Sequence, residues 1–152
     1  MTFYRKRPEP EDTGEGDVVI LITGSRDYRD RAFLYSALDR AREFYTGRRL
    51  VIRHGAARGA DRLGSDWVNS IGNFRLVDED PIPADGFGPW PAAGQIRNAH
   101  MVRKGALWCL GFVNPCASTK CSNRPVHGSH GAEGCLEMAE RANIRTRAWR
   151  TF

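Results

Sequence analysis

No apolar run in this 152-residue sequence approaches the roughly 18 to 20 residues needed to cross a bilayer. The first 17 residues are polar and charged, which is not the pattern of a secretory leader. The expected setting is therefore cytoplasmic, with no membrane role. Lysine is scarce, with 3 residues against 20 arginines, so the net charge of +5 is carried almost wholly by guanidinium groups. Arginine's planar fork suits phosphate and carboxylate better than lysine's point charge, although a GC-rich coding sequence produces the same excess. No G-x-G-x-x-G follows the first predicted strand, and no lysine stands in a Walker-type loop. Neither the dinucleotide fingerprint nor a P-loop is present, and no flavin or haem is expected.

What is there fits one soluble α/β domain, at 41% hydrophobic and 27% charged residues. Residues 1–17, with the basic run Arg5-Lys6-Arg7, read as a flexible tail, and residues 18–152 as the folded domain. Val18-Val19-Ile20-Leu21-Ile22 is a strand buried on both faces. Phe33, Leu34, Ala37, Leu38, Ala41 and Phe44 then form one apolar helical stripe. The unit repeats in outline. Leu50-Val51-Ile52 is a second strand; Leu63, Trp67, Val68 and Ile71 mark a second helix; Phe74-Arg75-Leu76-Val77 reads as a third strand. A Pro/Gly-rich loop over 81–94 leads to a helix with Ile96, Ala99 and Met101. A fourth strand over 106–113, a Cys/His insertion over 114–130, a helix over 132–142 and a strand over 144–149 complete the chain. Alternating strands and helices predict a single Rossmann-like domain, doubly wound, with a mostly parallel five-stranded sheet.

Ligands of such sheets sit outside the carboxyl ends of the strands. Four turns fall there: Gly24-Ser25-Arg26, the run from His54 through Gly55, Arg58 and Gly59 to Asp61, Gly94-Gln95-Ile96-Arg97-Asn98, and Ser129-His130-Gly131-Ala132. Small residues let backbone N–H groups close on an oxyanion, and helix N-termini add their dipoles. Arg26, Arg58 and Arg97 are placed to pair with phosphates. A glycine-rich turn alone is commonly only a tight turn; four of them at one edge, three with an arginine, point to a phosphate-bearing small ligand. Trp90, between two prolines, either stacks on a ligand base or covers the sheet edge.

The runs Ile22-Thr23-Gly24-Ser25-Arg26-Asp27-Tyr28, His54-Gly55-Ala56-Ala57-Arg58-Gly59-Ala60-Asp61 and Ala93-Gly94-Gln95-Ile96-Arg97-Asn98-Ala99-His100-Met101 resemble, in the same order, the YspA-like branch of the SLOG superfamily. The superfamily includes DprA/Smf, the LOG phosphoribohydrolases and nucleotide-sensing domains. The resemblance, over roughly residues 18–149, implies a nucleotide-type ligand held by Gly24, Ser25, Arg26, Gly55, Arg58, Gly59, Asp61, Gly94, Arg97 and Asn98. Asp61 would accept from a ribose hydroxyl or cap its own turn. LOG-type enzymes carry a P-G-G-x-G-T-x-x-E loop with a catalytic glutamate. Here the corresponding stretch is Ser129-His130-Gly131-Ala132-Glu133-Gly134-Cys135, so Cys135 stands at the glutamate's position and Glu133 is two places early. Binding without turnover is the simpler expectation.

Cys116, Cys121, His127, His130 and Cys135 fall within twenty residues. The segment is polar and turn-rich, and a structural zinc would fix it. Cys116, Cys121, His127 and Cys135 form the expected ligand set, with His130 either a ligand or a contact of the phosphate turn. The alternatives are free thiols in a reducing cytoplasm or, in an exported chain, a Cys116–Cys121 disulfide. Cys109 reads as a buried strand residue.

Three functions compete. The first is a sensor or scavenger of a nucleotide-derived ligand such as NAD, ADP-ribose or a nucleotide sugar. The second is a nucleotide N-glycosidase or phosphoribohydrolase of LOG type, with Arg97 holding phosphate and Glu133 or Asp61 as acid or nucleophile. The third is DprA-type binding of single-stranded nucleic acid through the basic tail and Arg141, Arg145, Arg147 and Arg150. A homo-oligomer is compatible with each.

Overall fold

Apolar β-branched residues at 18–22 seed the central strand, β1 (Val18–Gly24), whose neighbours are parallel on both sides. The structure is a computed structural model that describes residues 11–72 and 75–152. Helix α1 (Arg31–Phe44) follows, opened by Asp30, whose Oδ1 accepts the Phe33 N–H at 3.0 Å. Then come β2 (Leu50–His54), α2 (Ala60–Ile71), β3 (Val77–Pro81), α3 (Ala92–Arg103), β4 (Trp108–Val113), a 3-10 turn (Thr119–Cys121), α4 (His130–Arg141) and β5 (Arg145–Arg150). The five strands run in the order β3-β2-β1-β4-β5, and every pairing is parallel. Parallel neighbours need crossovers, and a helix lies in each connection.

The helices divide between the two faces. Leu34 and Leu38 of α1 and Leu63, Trp67 and Val68 of α2 bury against Ile20, Ile22, Ile52 and Phe112. On the other face, Met101 and Val102 of α3 and Cys135, Leu136 and Ala139 of α4 cover Leu21, Cys109 and Val113. Burying a side chain such as Leu38 contributes about 1.5–3 kcal/mol. Trp67, fully buried in the first layer, satisfies its indole N–H on Asp39 Oδ1 at 2.9 Å.

Several boundaries differ from the sequence expectation, and β4 begins at Trp108, two residues later than expected. The third strand runs over 77–81, not 74–77; Phe74 lies outside the described residues. Leu76 has φ +58, a turn conformation, and pairing begins with Val77 against Leu50. The acidic side chains of this edge strand pair with β2 and the residue before it: Asp78 with Arg49, Asp80 with Arg53 at 2.7 Å, and Glu79 with His54 at 2.6 Å. Charges also blunt an exposed edge. Helix α4 starts at His130, two residues earlier than expected, and α3 at Ala92. Of the predicted tail, residues 1–10 lie outside the described residues. Residues 11–17 are tethered, since Arg48 bonds Asp12 and the carbonyls of Glu15 and Gly16.

The strand order reverses between β1 and β4. That divergence is where ligands enter sheets of this kind.

Candidate functional site

At the carboxyl edge, β1 ends in Gly24 beside Phe112 of β4. A Cβ on Gly24 would lie 2.3 Å from the Ala60 Cβ and 2.6 Å from the Phe112 carbonyl oxygen, so the end of β1 is pressed between the first side chain of α2 and the backbone of β4. Gly59, at φ +75, presses the other side of the same turn, where a Cβ would lie 2.2 Å from the Ser25 carbonyl. The floor thus leaves room for main chain only. Above it opens a cleft of about 720 Å³, within the usual range for small-molecule sites.

Its walls come from four places. The β1–α1 turn supplies Gly24 to Asp27, and α3 supplies Gly94, Gln95, Arg97 and Asn98 together with Trp90 before it. The start of α4 gives Ser129 to Ala132, and the segment after β4 gives Pro115 to Ser118. Ser25 joins these walls. Its hydroxyl accepts the Asn114 N–H at 2.8 Å and shares a 2.6 Å hydrogen bond with the Ser129 hydroxyl. Ser129 therefore does not cap α4. No side chain caps the N-termini of α2, α3 or α4, whereas α1 is capped by Asp30. The Ala60 N–H of α2 and the Ala93 N–H of α3 are taken by the Ser25 and Pro89 carbonyls at 3.3 and 3.2 Å; first-turn N–H groups that remain are donors for an anion, assisted by the helix dipole.

The arginines in and near the cleft differ in kind. Arg97 is buried, with Nε–H donating to Asn98 Oδ1 at 2.8 Å and Nη1 donating to the carbonyls of Gly55 and Ile82. Burial pulls its pKa below the ordinary guanidinium value, against the field of Asp61. Arg26 is exposed and lies over Trp90, 4.3 Å from the ring centroid, without an ion pair among the described residues. Such a stack is a cation–π contact. Arg58 is exposed and does not line the cleft, in contrast to its expected place on a phosphate.

The other expected residues divide similarly. Gly24, Ser25, Arg26, Asp61, Gly94, Arg97, Asn98, Ser129 and Gly131 line the cleft. His54, Gly55 and Gly59 support it from below. His54 Nδ1 accepts the Ala56 N–H at 2.9 Å, which leaves the Nε2–H for Glu79. Asp61 accepts the N–H groups of Gly55 and Ala57 at 3.1 and 3.3 Å, so it caps the turn as one of its two expected roles requires. Burial raises its pKa, while His54, the amide bonds and Arg97 oppose the rise. Glu133 does not line the cleft. It holds Arg150 through two bonds of 2.7 and 2.8 Å, so its carboxylate is committed elsewhere. The sequence reading did not assign Asp27 or the 115–118 segment to the ligand site; Cys116 was read only as a metal ligand, and the segment reaches the cleft through Asn114.

Beside the cleft, Cys116, Cys121, His127 and His130 bring one ligand atom each within 4.8 Å of one another. Cys121 Sγ is 3.5 Å from His130 Nε2, which is 3.1 Å from His127 Nε2. A tetrahedral site with bonds of about 2.0–2.3 Å has ligand atoms roughly 3.3–3.8 Å apart, so the group fits a metal of that kind. His127 Nδ1 donates to the Pro125 carbonyl at 2.8 Å, presenting Nε2 to the cluster. Cys135, expected as a ligand, is not in this group. It lies fully buried on the inner face of α4 with Ala132, Leu136 and Ala139, a free thiol hydrogen-bonded to the free thiol of Cys109. That bond and burial push the Cys109 thiol above its ordinary value. His130, as first residue of α4, takes the fourth place.

Residues 18–73, from β1 through α2, match the YspA, cpYpsA-related SLOG family. The gene 61 protein of Mycobacterium phage D29 is 35% identical over 127 residues, covering 82% of this chain and 90% of that protein. The chain belongs to the YspA, cpYpsA-related SLOG family. Membership points broadly to nucleotide-related ligands. The segment matched to the SLOG family carries the cleft floor, with Gly24, Ser25, Gly59 and Asp61. The Cys/His group at 116–130 lies beyond it. Among the described residues, no helix is long and apolar enough to cross a membrane.

Proposed function

We propose that the cleft binds a nucleotide-derived ligand bearing phosphate, of the NAD, ADP-ribose or nucleotide-sugar type, and that the protein works in the cytoplasm as a sensor or scavenger, with residues 18–152 as the binding unit. The observation that carries this is the convergence at the sheet's switch point of helix starts that no side chain caps, with Arg26 free beside them. In this reading the diphosphate lies on the starts of α3 and α4, Arg26 turns to it, and the base takes the guanidinium's place on Trp90. Arg97 shapes the wall through its carbonyl bonds and supplies positive potential from beneath. Glu133 is held by Arg150 and Asp61 by the Gly55 and Ala57 N–H groups, so both carboxylates considered for glycosidic cleavage are engaged, which favours binding over turnover.

Isothermal titration with NAD, ADP-ribose, a nucleotide sugar and purine monophosphates tests the reading. Saturable binding that ends on crowding the site with Gly94→Trp supports it; silence across the panel removes it. Incubation of each nucleotide with the protein, followed by assay for released base, tests turnover.

The Cys116, Cys121, His127 and His130 group fits zinc as a closed, structural site, since two thiolates and two imidazoles complete a tetrahedron. Elemental analysis should find about one zinc per chain, lost in Cys121→Ser.

A further inference from the structure

The zinc group and the cleft are not separate parts of the surface. Cys116 and His130 belong to both, while Cys121 and His127 belong to the zinc group alone. His130 is also the first residue of α4, the helix whose start forms one wall.

The loop that carries these residues is fixed at its base and exposed beyond it. Asn114 donates through its N–H to Ser25 Oγ and through Nδ2 to Asp27 Oδ1 at 3.1 Å, and its carbonyl accepts the Ser129 N–H at 3.1 Å. One bridge, between Pro115 and Gly128, joins the two arms, and the Cys116 N–H donates to the His127 carbonyl at 2.7 Å. Past that point residues 117–126 are exposed except for Cys121. So small an apolar content cannot offset the conformational entropy of about ten ordered residues. A metal bond network can.

We infer that the metal holds the outer wall of the ligand cleft, so that metal and ligand binding are coupled. Resting on the cleft and zinc readings above, this adds a free-energy link between them. A metal that fixes Cys116 and His130 fixes the start of α4 and, through Ser129, the β1–α1 turn. The ligand then binds a wall already ordered. Reciprocity requires the bound ligand to tighten metal binding by the same factor.

The test compares metal-loaded protein, chelator-stripped protein and Cys121→Ser, a variant that removes a metal ligand without altering a residue of the cleft. Hydrogen exchange reads the wall without any nucleotide. Metal loading should slow exchange at the N–H groups of residues 130–133 and at 25–28, not only within 115–128. ADP-ribose titration reads the coupling. Stripping and Cys121→Ser should each weaken binding about tenfold, within the ordinary range of such couplings. Stripping Cys121→Ser further should change nothing. His127→Ala should repeat the result if Cys121→Ser folds poorly.

Protection confined to 115–128, or equal ADP-ribose affinity with and without metal, overturns the coupling. Failure to take up zinc or cobalt(II) overturns it through the metal. If metal-loaded protein binds no nucleotide, the ligand reading falls and the exchange measurement alone decides whether the metal orders the wall.

Discussion

The α1–α2 layer and the carboxyl edge of the same sheet are built by opposite means. Under α1 and α2 the contacts are between apolar side chains, and the helix start at Asp30 is closed by its own carboxylate. At the carboxyl edge the contacts are between main-chain atoms and small polar groups, and the three helix starts are left open by their own side chains. Stability is therefore concentrated in the first region. Free hydrogen-bonding capacity is concentrated in the second. Capping every helix would add roughly 1 kcal/mol each, and forgoing that at α2, α3 and α4 is what makes the edge chemically available.

Substitutions that act on one region alone would sharpen this contrast. Leu38→Ala should give the largest effect, a loss of about 2–5 kcal/mol in chemical unfolding, with ligand affinity of the folded protein unchanged. Altered affinity would show that the layer and the edge are mechanically linked. Arg26→Ala should do the reverse: binding of ADP-ribose weakens by about 1.5–3 kcal/mol, the worth of a hydrogen bond to a charged group, while stability moves within roughly 0.5 kcal/mol. Asp30→Ala should cost about 1 kcal/mol of stability and no affinity, in contrast to any side chain at the open helix starts.

The smallest expected effect is one of pH, at the β3 edge. Burial pushes the Asp80 carboxyl upward, but Arg53 and Lys104 outweigh it and hold the carboxyl below its ordinary value. A depressed acid stabilises the fold above its unfolded pKa, about 3.9, and loses that contribution as pH falls through the lower folded value. Asp80→Asn should therefore lower stability at neutral pH and flatten its decline below about pH 4. Acid unfolding followed by circular dichroism would show it. An unchanged acid limb would mean that the pair contributes nothing.

A continuous apolar run made β1 legible in the sequence as a strand buried on both faces, and apolar residues three to four apart made α1 and α2 legible as helices. Strand β3 was legible as a third strand but not in its position, 77–81 instead of 74–77. Its Asp78, Glu79 and Asp80 look like a loop until Arg49, Arg53 and His54, more than 24 residues away, are brought beside them. The glycine turns marked the edge correctly as a place, but spacing alone did not tell Arg97, spent on carbonyls, from the exposed Arg58. A signal for Cys135 was present and passed over. Ala132, Cys135, Leu136 and Ala139 recur at the i, i+3, i+4, i+7 spacing of a helix face, which places that thiol in the core and leaves the fourth metal position to His130.

The main-chain contact at Gly24 and Gly59 also bears on how this cleft can change over descent. Almost any mutation at either position forces backbone apart, so the floor is closed to incremental variation. The loop over 117–126, exposed apart from Cys121, accepts changes of length and composition cheaply. Under the proposed function, a change of ligand preference is therefore expected at the rim, through a loop whose two ends stay anchored, and not at the floor.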